Sequence, residues 1–185
     1  MSLFQWMVEQ QERLGPEDEL YVHVTGHGQI VQTKDEVEFI KKNGQKKVKR
    51  KWVKHFTIGD DHVDSIDFGK LYGNAPGEAV MLFDHCYGGE FARESARPTN
   101  VTVTQASKGS SFGSEFPNAW YDGIRSCDAD RNQDGTVTVD EAKAHATEVM
   151  RSDGGSDMLY KLGLMRPAMY DQGGKASSTI LKTCR

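Results

Sequence analysis

No stretch of this chain approaches about 18 consecutive apolar residues, so a membrane-spanning helix is not expected. The opening MSLFQWMVEQQERL has neither a basic start nor a small-residue cleavage site, so it does not read as a signal peptide. Positive charge is not in excess. Lys and Arg number 23 against 27 Asp and Glu, a net charge of −4, and composition gives no general argument for nucleic acid. Cysteine is scarce. Cys86, Cys127 and Cys184 are scattered without metal-finger spacing, which argues against a disulfide scaffold and for a reducing, cytoplasmic setting. Cys184, beside the terminus, reads as a free thiol. What is present is 185 residues, 37% hydrophobic and 27% charged, the signature of one soluble globular domain with at most a small appendage.

Along the chain, the apolar positions of residues 2–14 form a helical face that Gly15-Pro16 ends. Residues 20–25, LYVHVT, read as a strand closed by Gly26-His27-Gly28. Residues 36–54 read as a hairpin around Asn43-Gly44. It carries Lys41, Lys42, Lys46, Lys47, Lys49, Arg50, Lys51 and Lys54. Those lysines protect strand edges from aggregation, and a basic ribbon touching nucleic acid or an acidic protein is the rival reading. Residues 64–72 predict a short helix capped by Asp64 or Ser65. Residues 79–83, AVMLF, predict a buried central strand, and the alternating 100–106 the next one. Residues 107–118 predict a Gly- and Ser-rich loop, residues 139–150 a helix, and STILKT near the end a last strand. This order predicts an α/β three-layer sandwich with a mostly parallel sheet, built on only three convincing core strands.

Two of the strands stop in a Gly-flanked reactive residue, YVHVTGHG in His27 and AVMLFDHCYGG in Cys86. Parallel strands ending side by side would set an imidazole beside a thiol at the sheet edge where ligands bind. A free thiol has a pKa near 8.5, so a positioned imidazole is needed to take its proton and later protonate a leaving amine. The glycines permit a tight turn and leave amides uncrowded toward a developing oxyanion. Alternation puts Asp84 and Cys86 on one side and His85 on the other, so His27 is the better base. His23 reads as a core or supporting residue. Asp84 would orient a turn amide, tune the thiol, or cap the next helix. The plainer alternatives are that His27 and Cys86 simply end core strands, or that His27, His85 and Cys86 hold a transition metal.

VHVTGHG and MLFDHCYGGEFA, in this order, resemble the two motifs of the caspase-like cysteine peptidases, the group of caspases, metacaspases, legumains, gingipains and separase. The nearest resemblance is to bacterial legumain-like or metacaspase-like proteins. It implies a caspase-hemoglobinase-like fold, His27 as general base, Cys86 as nucleophile, and an oxyanion hole from the backbone amides of Gly28 and Cys86. It also implies that the end of the strand NVTVTQASKGSS lines the pocket for the residue before the scissile bond, which brings in Ser107 and Lys108 beside Asp84, with Glu115 nearby. The resemblance covers roughly residues 2–125. Only 20 residues precede the His-Gly strand, so the first strands of the usual domain are expected to be missing, rearranged, or supplied by another chain. The expectation is a single domain or the C-terminal portion of one, its sheet completed by a missing N-terminal segment or another chain.

Residues 130–141, DRNQDGTVTVDE, fit a twelve-residue calcium loop. Asp130, Asn132 and Asp134 take positions 1, 3 and 5, Gly135 the turn, Thr136 offers its carbonyl, Thr138 takes position 9, and Glu141 is bidentate at position 12. Val137, at the apolar position 8, would pair or pack against a neighbour. The entering segment, with Gly123, is a poor helix, and no partner hand is visible. The expectation is one calcium ion grafted onto the domain, against a polar turn that binds nothing.

The leading expectation is a thiol peptidase acting on peptide or protein substrates. The runner-up is a non-catalytic calcium-binding or interaction module. Neither involves a membrane or nucleic acid.

Overall fold

An uninterrupted apolar strand such as Ala79–Phe83 is stable only where both of its faces are covered. The computed structural model describes residues 3–40, 46–58, 61–72, 77–105, 115–163 and 165–184. In chain order the first half contains α1 (Leu3–Gln11), β1 (Glu19–Thr25), β2 (His27–Ile40), β3 (Lys46–Ile58), β4 (Asp61–Asp64), α2 (Ser65–Tyr72), β5 (Glu78–Asp84) and α3 (Gly88–Ser95). The second half contains β6 (Asn100–Thr104), α4 (Glu115–Ser126), β7 (Thr136–Thr138), α5 (Val139–Ser152), α6 (Gly154–Lys161), β8 (Ala168–Asp171) and β9 (Ile180–Thr183). The central sheet runs β1-β5-β6-β8. Its first three strands are parallel, and β8 is antiparallel to β6.

Strand alternation divides β5 between two cores. Ala79, Met81 and Phe83 pack with Met7, Phe68, Leu71, Phe91 and Ala92, which come from α1, α2 and α3. Val80 and Leu82 face the other way, toward Val101, Val103, Phe116, Trp120, Ala142 and Met150. Helices thus cover both faces of a mostly parallel sheet, an α/β arrangement of three layers. In β6 the alternation does not mark a wet face, because Asn100, Thr102 and Thr104 are fully buried. Asn100 Nδ2 donates to the Tyr72 and Ser95 carbonyls, and Thr102 Oγ1 to the Ala92 carbonyl at 2.8 Å. Those bonds remove the cost of burying polar groups.

The expected hairpin is longer than 36–54. β2 starts at His27, β3 runs to Ile58, and β4 adds a third antiparallel strand, with a register shift between Gln32 and Glu36. Asn43-Gly44 lies outside the described residues. Asp64 caps α2 as expected, its Oδ1 accepting from the Asp67 amide at 2.8 Å.

The last third departs furthest from expectation. α4 begins at Glu115, inside the span expected to be a loop, and 106–114 lie outside the described residues. β8 makes a fourth core strand, so three was an undercount. The STILKT strand exists as β9 but pairs with β7, apart from the central sheet. Cys184 is not free, because it is bonded to Cys127, with Cα atoms 6.0 Å apart. Sequence spacing cannot reveal such a contact, and two of the three cysteines form the bridge that their scarcity argued against. Among the described residues, no helix is long and apolar enough to cross a membrane.

Candidate functional site

Cys86 sits in the turn between β5 and α3. The Gly88 amide donates to the His85 carbonyl at 3.1 Å, and Tyr87 takes a left-handed φ of 63°. A Cβ at Gly88 would lie 2.9 Å from Thr104 Oγ1 and 3.1 Å from Phe83 Cβ, so the turn packs on the strand ends only with glycine there. Cys86 is half-buried and takes no part in the disulfide. His85 points the other way, 1% exposed, with its ring 4.9 Å from that of Phe91. Its Nδ1 lies 2.8 Å from the Cys86 carbonyl oxygen. Only a protonated Nδ1 can donate there, which fixes the tautomer. Burial lowers its pKa to about 4, against the raising effect of that bond. His85 is therefore a neutral clamp on the turn and a poor base.

His27 arrives from the neighbouring strand. β1 and β5 are in parallel register, with Thr25 opposite Asp84, so both chains leave the sheet at the same level. Gly26, φ 141°, turns the chain, and His27 opens β2 opposite Thr57, with its side chain exposed. Gly28 then lies against Cys86. A Cβ built on it would fall 1.7 Å from the Cys86 carbonyl oxygen and 2.9 Å from His85 Nδ1. The His-Gly segment and the Cys turn are thus brought together at the C-terminal edge of the parallel strands, where open α/β sheets place their ligands. Backbone amides of Gly28 and Cys86 belong to the same edge.

Asp84 stands two residues before Cys86. It accepts from Thr25 Oγ1 at 3.4 Å. Burial raises its pKa to about 6, the Thr25 bond lowers it, and the charge of Glu115 raises it further. The Glu115 carboxylate thus acts on Asp84, two residues before the thiol. Ser107 and Lys108 lie outside the described residues. His23 has the supporting role expected, half-buried with its ring 5.4 Å from that of Tyr121, and burial lowers its pKa. Next to it Trp120 Nε1 donates to Tyr21 Oη at 2.9 Å. A cavity of about 350 Å³ lined by Glu19, Tyr21, Glu78, Tyr121 and Ile180 sits at the far end of these strands, away from Cys86.

The segment 130–141 forms a tight loop between two genuine helices, α4 of 12 residues and α5 of 14, so the doubt about the entering helix is removed. The Asp130 carboxylate accepts from the Asp134 and Gly135 amides, at 3.2 and 3.0 Å. Asn132 Oδ1 accepts from the Asp134 amide, and Asp134 Oδ1 from the Thr136 amide and hydroxyl. Gly135 has φ 85°, as the turn requires. Glu141 closes a capping box with Thr138. Desolvation raises its pKa, but bonds from Thr138 and from the Asn132 and Arg131 amides outweigh that and hold it low. Asp134 is held low chiefly by the Thr136 hydroxyl. The donor set is oxygen throughout and fits a hard cation such as calcium. Among the described residues, however, no three acidic, His or Cys side chains are gathered into a cage that could hold a metal. The carboxylates are turned onto loop amides instead.

Thr25 and the Cys127–Cys184 bridge are the residues that sequence reasoning missed. Aligning the two motif strands end to end would have found Thr25 opposite Asp84. Nothing in the spacing of three cysteines selects one pairing.

No family model and no curated protein matches the chain. Among solved structures, it is similar to protein GSU0716 from Geobacter sulfurreducens, with a TM-score of 0.52 and 10% identity, over 91% of this chain and 71% of that one. At that identity the likeness speaks to the fold alone, an α/β architecture with a mostly parallel sheet.

Proposed function

We propose that this chain is a cysteine endopeptidase of the caspase-like kind, with Cys86 as nucleophile and His27 as general base. The observation that carries the reading is the contact of Gly28 with the Cys86 backbone at the C-terminal edge of the sheet. In this mechanism His27 takes the thiol proton and the Cys86 sulfur attacks the substrate carbonyl. The amides of Gly28 and Cys86 receive the oxyanion. His27 then gives its proton to the leaving amine, and water releases the acyl group. His85, clamped and neutral, keeps the turn in place. Asp84 and the nearby Glu115 charge favour a cationic side chain, Lys or Arg, before the scissile bond. That choice goes beyond the sequence, where Lys108 and Glu115 pointed in opposite directions.

A peptide carrying a thiol-reactive group tests the reading directly. It should label the wild type, spare Cys86→Ala, and react at least tenfold more slowly with His27→Ala. Equal labelling of wild type and His27→Ala sinks the dyad. In a panel differing only before the scissile bond, Arg and Lys peptides should be cleaved at least tenfold faster than Asp peptides, and Asp84→Asn should narrow the gap.

The second component is calcium. Asp130, Asn132, Asp134, the Thr136 carbonyl and Glu141 would hold the ion, which would tie the loop to the first turn of α5. One fact favours the runner-up, a non-catalytic calcium-binding or interaction module. Among the described residues β1 is the last strand on its side of the sheet, and an edge strand invites a further strand. An N-terminal segment or another chain pairing there would complete the sheet, and labelling of Cys86 separates the two readings. A cytoplasmic address sits awkwardly with the Cys127–Cys184 bridge, because such bonds persist in oxidising surroundings. The redox state of that bridge in cells decides it.

A further inference from the structure

The cavity of about 350 Å³ at the start of β1 and β5 takes no part in the peptidase reading, since Cys86 lies beyond the opposite end of those strands. Its volume is at the lower end of the range for small-molecule sites. Strand alternation builds one wall. β1 and β5 are in parallel register, so Glu19, Tyr21, Glu78 and Val80 share one face. α4 contributes Tyr121 and Ile124, and β9 contributes Ile180. Three of the large apolar side chains around this cavity are exposed, Tyr21 at 42%, Tyr121 at 39% and Ile180 at 53%. An exposed apolar patch around a concavity marks a place where something binds. The Tyr21 and Tyr121 rings stand 6.5 Å apart at 63°, so they form a corner. That corner is set before any ligand arrives. The buried Trp120 Nε1 donates to Tyr21 Oη at 2.9 Å, and His23 backs Tyr121 with its ring 5.4 Å away. Such preorganisation lowers the entropy cost of binding.

The rim of the cavity is acidic. Glu19 stands directly opposite Glu78 in the strand register, and both are exposed. Like charges opposite one another on neighbouring strands repel. Lys175 Nζ pairs with Glu78, but among the described residues Glu19 has no ion-pair partner. Two carboxylates therefore share one ammonium, and a negative charge is left at the mouth. Burial holds the Tyr21 phenol far above its ordinary pKa, so the ring stays neutral and offers its face to a cation. We propose that this cavity binds a small organic cation, an ammonium group carried on an aromatic body. The ammonium sits at the mouth between Glu19 and the corner of Tyr21 and Tyr121, where the carboxylate and the ring faces all favour positive charge. The aromatic body lies on Val80, Ile124 and Ile180 and removes their apolar surface from water. An anionic ligand of the same shape meets Glu19 and Glu78 and is repelled. An uncharged one leaves the charge of Glu19 unpaired. This site is independent of the Cys86 reading and does not require it.

The test uses the full chain and 2-phenylethylammonium as the probe, with 2-phenylethanol as its uncharged counterpart and 3-phenylpropanoate as its anionic one. Calorimetric titration should show one amine bound per chain, saturating below about 10 mM. The alcohol should bind at least about fivefold more weakly, and the acid not at all. That comparison is made on the wild type and needs no variant. Glu19→Gln and Tyr121→Leu should each weaken amine binding by about fivefold. Both positions are exposed, and a thermal melt checks that each variant folds. In nuclear magnetic resonance spectra the methyl signals of Ile180 should move as the amine is added. Absence of saturable amine binding would overturn the inference. So would equal affinity for amine and alcohol, undiminished binding by Glu19→Gln or Tyr121→Leu, or movement of other isoleucine signals with Ile180 unmoved. None of these outcomes bears on Cys86, so the peptidase reading is decided separately.

Discussion

Gly28 makes the sharpest demand of any single residue. A methyl group there would overlap the Cys86 carbonyl oxygen, which is backbone and cannot swing aside. Gly28→Ala should cost about 1–3 kcal/mol in a urea melt, the usual range for overpacking, and should slow labelling of Cys86. Beside it, Asp84 and His85 respond to pH in opposite directions. The Asp84 carboxyl binds its proton more tightly in the folded state, about 6 against 3.8. Its contribution to stability is complete below pH 3.8 and is lost as pH rises through about 6. The His85 imidazole binds its proton less tightly in the folded state, about 4 against 6.5. Its contribution is complete above pH 6.5 and is lost as pH falls through about 4. Asp84→Asn should therefore stabilise at pH 7, by roughly 1 kcal/mol once partial wetting of the carboxylate is discounted, and leave stability at pH 3.5 unchanged. Melts at the two pH values check both signs. That the strands leading to His27 and Cys86 would be parallel neighbours was legible, because both apolar runs stop in glycine-flanked polar residues, but β1 ends at Thr25 and His27 opens a second strand, β2. The protonation states were not, since they depend on how deeply Asp84 and His85 are buried and on Glu115, remote in sequence from Asp84.

At the scale of elements, α5 has the best-defined start. Thr138 and Glu141 exchange hydrogen bonds in a capping box, and Thr138→Ala should lower stability by about 1 kcal/mol, read from the shift in thermal midpoint. Glu141→Gln should keep the cap's geometry and lose most of the calcium binding. The D-x-N-x-D-G spacing, the loop and α5 were legible in sequence because each turn position of the loop motif has its own residue type. β8 and β9 were harder. Each has only four residues, β8 is half-buried along its whole length, and neither has the alternation that marks a strand. The hairpin extends beyond the pattern at 36–54 because Gln32–Glu36 is polar and carries the register shift, which interrupts the strand's alternation. β6 teaches the converse. Its NVTVT alternation looks like one wet face, but both faces are dry, and Asn100 and Thr102 are satisfied by carbonyls outside their own strand.

For the whole molecule, β5 is the common wall of both cores. Phe83→Ala should cost about 3–5 kcal/mol, since its ring is fully buried and meets those of Phe68 and Phe91. Calcium at a hundred times its dissociation constant should add about 2.7 kcal/mol, and a melt with chelator in place of calcium reads that difference. The three-layer plan was legible from one uninterrupted apolar strand. The extent of the sheet was not, because a strand's neighbours are set by contacts that no local pattern encodes. Gly26 joins two sheets of different build through a single residue, and its backbone angle is one that side chains with a Cβ rarely adopt. That makes it a pivot. The antiparallel ribbon of β2 and β3 begins at His27, so the backbone angles at Gly26 set where the imidazole stands relative to the parallel sheet.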